Sequence, residues 1–200
     1  MPLQPKFTKY TTAGQQLVNY DYTDFADGTG YIVFNGVRLI VDATAANDIH
    51  RLDKNVGVSA MVGGLPETVI LQSHSVNFDV TFNNKAQRVK GDCYLVLPFE
   101  ADYLSAGPLV NIYHYDGSTE TSIATQVEPA GLTTNEFKTI VLSMALTATN
   151  FAVGDTFRVK ITAKAAGNDL TIHHDPTGSH ASFPYSGGAM KVSVPFLIEE

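Results

Sequence analysis

Met190–Ile198 reads MKVSVPFLI, and its alternation decides the fold. Met190, Val192, Val194, Phe196 and Ile198 take every second position. Successive side chains of a β-strand point to opposite faces, so this spacing buries one face of a sheet and leaves the other to polar residues. Val192, Val194 and Phe196 are therefore expected together on a buried face.

The same period recurs upstream. Phe157, Val159 and Ile161 alternate with Arg158, Lys160 and Thr162 after Gly154-Asp155, and Leu170 and Ile172 resume the pattern after Gly167-Asn168. Ser75–Asn83 alternates through Val76, Phe78, Val80 and Phe82. Cys93–Phe99 and Leu109–Tyr115 read as strands parted by a turn at Gly107-Pro108, with more at Ser122–Val127 and Phe137–Leu142. Tyr31–Val41 is strand-like but holds Asn35-Gly36, a dipeptide that favours a tight hairpin, and Asn47–Lys54 suggests a short helix. Gly63-Gly64-Leu65-Pro66 marks a loop. Roughly eight to ten short strands with little helical periodicity predict an all-β antiparallel β-sandwich, jelly-roll-like.

Residues 1–30 differ from the rest. They are polar and aperiodic, with Phe7, Tyr10, Tyr20, Tyr22 and Phe25 scattered among them and Lys6 and Lys9 in an acid-free first stretch. We expect an extended N-terminal arm over 1–30, laid on neighbouring subunits, and a single sandwich domain over 31–200. The 200 residues are 44% hydrophobic and 16% charged, enough apolar side chains for a core and too few charges for extended disorder. A formal net charge of −7, with thirteen scattered Lys and Arg, argues against nucleic acid as a partner. Cys93 is the sole cysteine, so the chain holds no internal disulfide, which suits assembly in a cytoplasm. The first residues lack a signal-peptide pattern, and no apolar run reaches membrane-spanning length, so neither secretion by that route nor a membrane partner is expected.

His173, His174 and Asp175 attract a metal reading. Adjacent strand residues face opposite ways, so the two histidines do not easily share an ion, although His174, Asp175 and His180 remain an alternative set. Asp175-Pro176-Thr177-Gly178 fits a type I turn better, and no metal or cofactor is expected. Asp21, Asp24 and Asp27 before Gly28 are three apart, where a calcium loop needs oxygens two apart and a distal Glu. No Gly-x-Ser-x-Gly elbow or phosphate-cradling glycine loop is present, and Cys93 sits in an apolar strand, so no catalytic residue is assigned and the chain is expected not to be an enzyme. His50, His74 and His114 show no partner pattern. Tyr103, Tyr113, Tyr115 and Tyr185 are candidate stacking platforms for sugar rings, but the absence of Trp weakens that reading, and Tyr113 and Tyr115, sharing one strand face, better suit core or interface packing.

Two segments, YDYTDFADGTGYIVF (Tyr20–Phe34) and GDTFRVKITAKAAGNDLTIHHDPTG (Gly154–Gly178), resemble virion structural proteins of tailed bacteriophages, especially capsid decoration or cement proteins. The resemblance implies a virion location, the major capsid protein or other virion proteins as partners, and a homo-oligomer, with a trimer suiting local three-fold positions. Its implied role is stabilisation of the shell by shared buried surface. The Gly-Asp strand also resembles carbohydrate-binding sandwich modules, which keeps open a carbohydrate- or receptor-binding module of a phage tail or fibre.

Overall fold

The computed structural model describes residues 29–39, 49–54, 68–71, 75–101, 107–129, 136–164, 170–174 and 190–197. These form β1 (Thr29–Leu39), β2 (Ile49–Asp53), β3 (Thr68–Leu71), β4 (Ser75–Thr81), β5 (Gln87–Ala101), β6 (Pro108–Tyr115), β7 (Glu120–Ser122), β8 (Glu136–Phe151), β9 (Thr156–Ala163), β10 (Leu170–His173) and β11 (Lys191–Leu197). Hydrogen-bonded neighbours run β3-β10-β5-β11-β1-β2-β4-β9-β6-β7, and β8 lies along the other edge of β5. The pairings are antiparallel apart from β2 with β4, which is parallel at Arg51 and Asp79. The chain is all-β, with the architecture of a β-sandwich.

Strand β1 is shared between the two layers. Thr29–Asn35 pairs with β11, and Asn35–Leu39 pairs with β2, so Asn35 has a partner on each side. The Asn35-Gly36 hairpin expected from sequence is therefore corrected: β1 runs straight through it. Glycine is needed there for closeness. A Cβ on Gly36 would lie 3.0 Å from Met190 Sδ and 3.2 Å from a ring carbon of Phe78, while the Gly36 N–H donates to the Met190 carbonyl at 3.0 Å. The helix expected over Asn47–Lys54 is likewise corrected to β2, because pairing with β1 satisfies its backbone as a strand.

The closing strand behaves as its alternation requires. Val192 and Val194 are fully buried, and Phe196 is 5% exposed. Pro195 is also buried, at a register shift between Ser193 and Phe196 where β5 answers with Gly91 at φ +113°. A proline lacks the N–H a regular ladder needs, and a bulge accommodates it. Across the core, the Phe82 ring after β4 stands 5.9 Å from Phe196 of β11 and 5.3 Å from Phe151 of β8, and Phe151 is 6.1 Å from Phe157 of β9. These aromatic contacts, edge-on at Phe82 and tilted between Phe151 and Phe157, join the layers. At the far side, Thr147 N–H donates to the Ile123 carbonyl at 2.8 Å, tying β8 to the segment after β7. The strand expected over Ser122–Val127 is reduced to β7 and single bridges at Ala124 and Val127, whereas that at Phe137–Leu142 extends to the 16 residues of β8.

Residues 1–28, most of the expected arm, and the Gly63–Pro66 loop lie outside the described residues. Thr29 and Gly30 already belong to β1. Because Gly36 needs space and no positive φ, its replacement tests packing alone. Gly36→Ala should lower stability by about 1–3 kcal/mol as an overpacked core site. Chemical denaturation of the variant beside the unmodified chain checks this, and an unchanged midpoint for Gly36→Ala would refute the close approach.

Candidate functional site

The alternation that sends Phe157, Val159 and Ile161 inward sends Arg158 and Lys160 outward from β9. Register then brings other outward residues beside them: Asn77 and Asp79 from β4, and Asn111, Tyr113 and Tyr115 from β6. Glu120 and Ser122 of β7 complete one polar, half-buried sheet face.

Arg158 is its centre. Its Nε and Nη2 donate to the two oxygens of Asp79 at 2.8 and 2.7 Å, and Nη1 donates to Glu120 at 2.5 Å. The guanidinium stands 4.5 Å from the centre of the Tyr115 ring, and the Lys160 ammonium 5.5 Å from that of Tyr113. Lys160 also donates to Glu120 at 3.1 Å. The forked bond to Asp79 raises the Arg158 pKa above its usual value despite partial burial, and the Arg158 hydrogen bond holds Glu120 below the usual carboxylate range. Arg158 and Glu120 are therefore both charged at neutral pH. Asn111 Nδ2 donates to Tyr113 OH at 3.1 Å, and Ser122 Oγ donates to Asn111 Oδ1 at 3.1 Å.

A tight turn presents Glu120 to this network. Asp116 Oδ1 accepts from the backbone N–H groups of Ser118 and Thr119 at 2.8 and 2.7 Å, Gly117 takes φ +93°, and Tyr115 OH donates to the Gly117 carbonyl at 2.8 Å. These backbone donors, led by Thr119, lower the Asp116 pKa. The result is a row of fixed donors and acceptors beside two tyrosine rings.

The histidines go elsewhere. His173 ends β10 half-buried, and His174, the next residue, is fully buried. Its ring lies 5.2 Å from His50 at 87° and 5.7 Å from Phe78, so His50 has a partner that spacing did not reveal. Among the described residues, neither ring nitrogen of His174, nor His50 Nε2, has a hydrogen-bond partner. Burial, with Arg38 adding to it, pushes His50 down to about 4, and burial with the His50 and Arg38 charges pushes His174 to about 3. Both are neutral at pH 7. Among the described residues no three His, Cys, Asp or Glu gather as metal ligands. Asp175, His180, His74, Asp21, Asp24, Asp27, Tyr103 and Tyr185 lie outside the described residues. His114 Nε2 meets Asp155 Oδ2 at 2.6 Å, against the Phe151 ring, and Asp155 Oδ2 also accepts from Ala152 N–H, which clasps the β8–β9 turn. Cys93 is fully buried, and burial pushes its thiol pKa far up, so it is inert.

No protein-family model and no curated protein matches the chain. Among solved structures, a CocE/NonD family hydrolase from Staphylococcus aureus is similar at TM-score 0.52 and 13% identity, over 82% of this chain and 37% of that one. An aminopeptidase from a marine-sediment Thaumarchaeota archaeon follows at 0.47 and 9%, covering 62% and 26%. The carbohydrate-binding module TmCBM61, solved with β-1,4-galactotriose, matches at 0.24 and 13%, covering 81% and 88%. The chain thus spans little more than a third of the length of the hydrolase whose fold it shares. One expectation is corrected by these neighbours. The missing catalytic motifs pointed to a chain that is not an enzyme, but its strand arrangement occurs within a hydrolase, so that exclusion does not stand.

The buried histidines make stability depend on pH. Their folded pKa values lie below the unfolded value near 6.5, so the stability linked to the neutral rings is fully present above about pH 6.5. It declines as pH falls and is lost below about 4 for His50 and about 3 for His174. His50→Phe, which keeps the contact with Phe78, should flatten the fall in melting temperature between about pH 6.5 and 4. A slope identical to that of the unmodified chain would contradict the assignment.

Proposed function

We propose that this chain is a carbohydrate-binding β-sandwich module whose ligand lies on the outward face of β4, β9, β6 and β7. The observation that carries the reading is the set fixed around Arg158: Tyr113 and Tyr115 beside two cations, with Asp79 and Glu120 holding those cations in place. Sugars present hydroxyls that donate and accept, and C–H faces that pack on aromatic rings. A polar face whose donors and acceptors are already oriented binds such a ligand without the entropy cost of ordering flexible side chains. Lys160 and Asn111, opposite each other in register, supply further polar contacts.

Placed in the virion that the sequence resemblance implies, a module of this kind belongs on a tail or fibre that meets a glycan-coated host surface. The platform favours that position over head decoration against the major capsid protein. The reading is tested with a glycan array, followed by calorimetry on the best ligand. Tyr113→Ala and Tyr115→Ala together should weaken binding at least about tenfold, and Arg158→Lys, which keeps the charge but loses the fork, should also weaken it. Retention of no glycan, or unchanged affinity in folded variants, would contradict the proposal.

A further inference from the structure

Strand β8 carries a surface that neither the core nor the polar platform uses. Its 16 residues pair with β5 from end to end, from Gln87 with Phe151 to Ala101 with Glu136. Along its other edge, among the described residues, it meets only the Ile123–Ala124 segment, at Leu146 and Thr147. Its inward side chains Leu142, Met144 and Leu146 are buried. The outward ones, Thr139, Val141, Ser143 and Ala145, are exposed, and Val141 at 67% is the most exposed of the large hydrophobics among the described residues. Beside them on β5, Val96 pairs with Val141, and Tyr94, 39% exposed, pairs with Ser143.

An edge of this kind is normally blunted by lysine, proline or a bulge, because its N–H and C=O groups template another strand. β8 has no lysine or proline between Lys138 and Phe151, its bulge at Thr147–Ala148 opposite Lys90 lies beyond the stretch 137–145, and no charged residue stands between Lys138 and Asp155. The chain as a whole carries −7, so two copies repel one another over most of their surfaces. An uncharged, β-branched and small-residue edge is where they approach without like charges meeting. It also suits a self-complementary contact, which a two-fold axis requires.

We propose that the outer edge of β8 pairs antiparallel with β8 of a second copy, making a two-fold dimer with a continuous sheet. Opposed residues in an antiparallel ladder share a face, so the axis falls on a residue of the strand. Centred on the stretch 137–145, it lies at Val141, which meets the partner's Val141, and Thr139 meets the partner's Ser143. The polar platform stays outside this contact, so glycan binding and dimer formation are separable.

Sedimentation of the full chain tests the pairing. A dimer at about 100 μM is expected, and Val141→Lys, which sets two ammonium groups against each other on the axis, should give a monomer with unchanged circular dichroism that melts where the unmodified chain melts once diluted to monomer. Val141→Cys should form an intermolecular disulfide under mild oxidation, because the residue opposes its own copy and Cys93 is buried. A wild-type monomer or trimer, or a dimer that survives Val141→Lys, overturns the proposal. Should Val141→Lys fail to fold, the disulfide decides: its absence overturns the pairing, and its presence upholds it.

Discussion

The whole arrangement hangs on one strand being shared by two layers at a residue without a side chain. β1 leaves β11 and takes up β2 at Asn35, and at Gly36 its backbone closes on Met190 and Phe78. Any Cβ there would push against side chains from both layers. Met190 is itself fully buried, so its carbonyl finds its partner in the Gly36 N–H and not in water. The approach thus satisfies a buried polar group and sets the spacing of the layers at the same point. The phenylalanines Phe82, Phe151, Phe157 and Phe196 then fill the space between the layers farther along.

That packing is what makes the outward face rigid. β4 and β9 are held from within by Phe78, Phe157, Val159 and Ile161, all fully buried, and strict alternation leaves Asp79, Arg158 and Lys160 no choice of side. The ion pairs on the outside are half-exposed and add little to stability by themselves. Their value lies in direction: Asp79 grips Arg158 by two bonds, and Arg158 in turn lies over Tyr115. A rigid core and an oriented polar face are two sides of the same strands. The edge strand β8 belongs to the other layer, so the proposed contact between copies and the proposed contact with ligand draw on different surfaces.

Period two was legible wherever one face is buried and the other is wet, as in β4, β9 and β11. It failed where long-range pairing overrides local signals. Asn35-Gly36 carries the grammar of a hairpin, yet its glycine answers a packing need that only Met190, far along the chain, explains. Ile49 and Leu52 have helical spacing, but Ile49 is 51% exposed and β1 supplies the pairing that makes the segment a strand. β8 was seen only in its first half, because Ser143, Ala145, Thr147 and Ala148 dilute the contrast between its faces. For the platform, sequence marked Tyr113 and Tyr115 and the outward parity of Arg158 and Lys160. It did not show that β9 lies between β4 and β6, which alone brings Asp79, Glu120 and the tyrosines together. The His50–His174 contact was hidden for the same reason.

The central claim, that the face around Arg158 is where ligand meets this protein, is most directly tested by NMR shift mapping of isotope-labelled protein during titration with an oligosaccharide. The account predicts shifts concentrated at Asp79, Asn111, Tyr113, Tyr115, Glu120, Arg158 and Lys160, with the amides around Val141 and Tyr94 unmoved. Shifts centred on β8 and β5, with the Arg158 face silent, would contradict it.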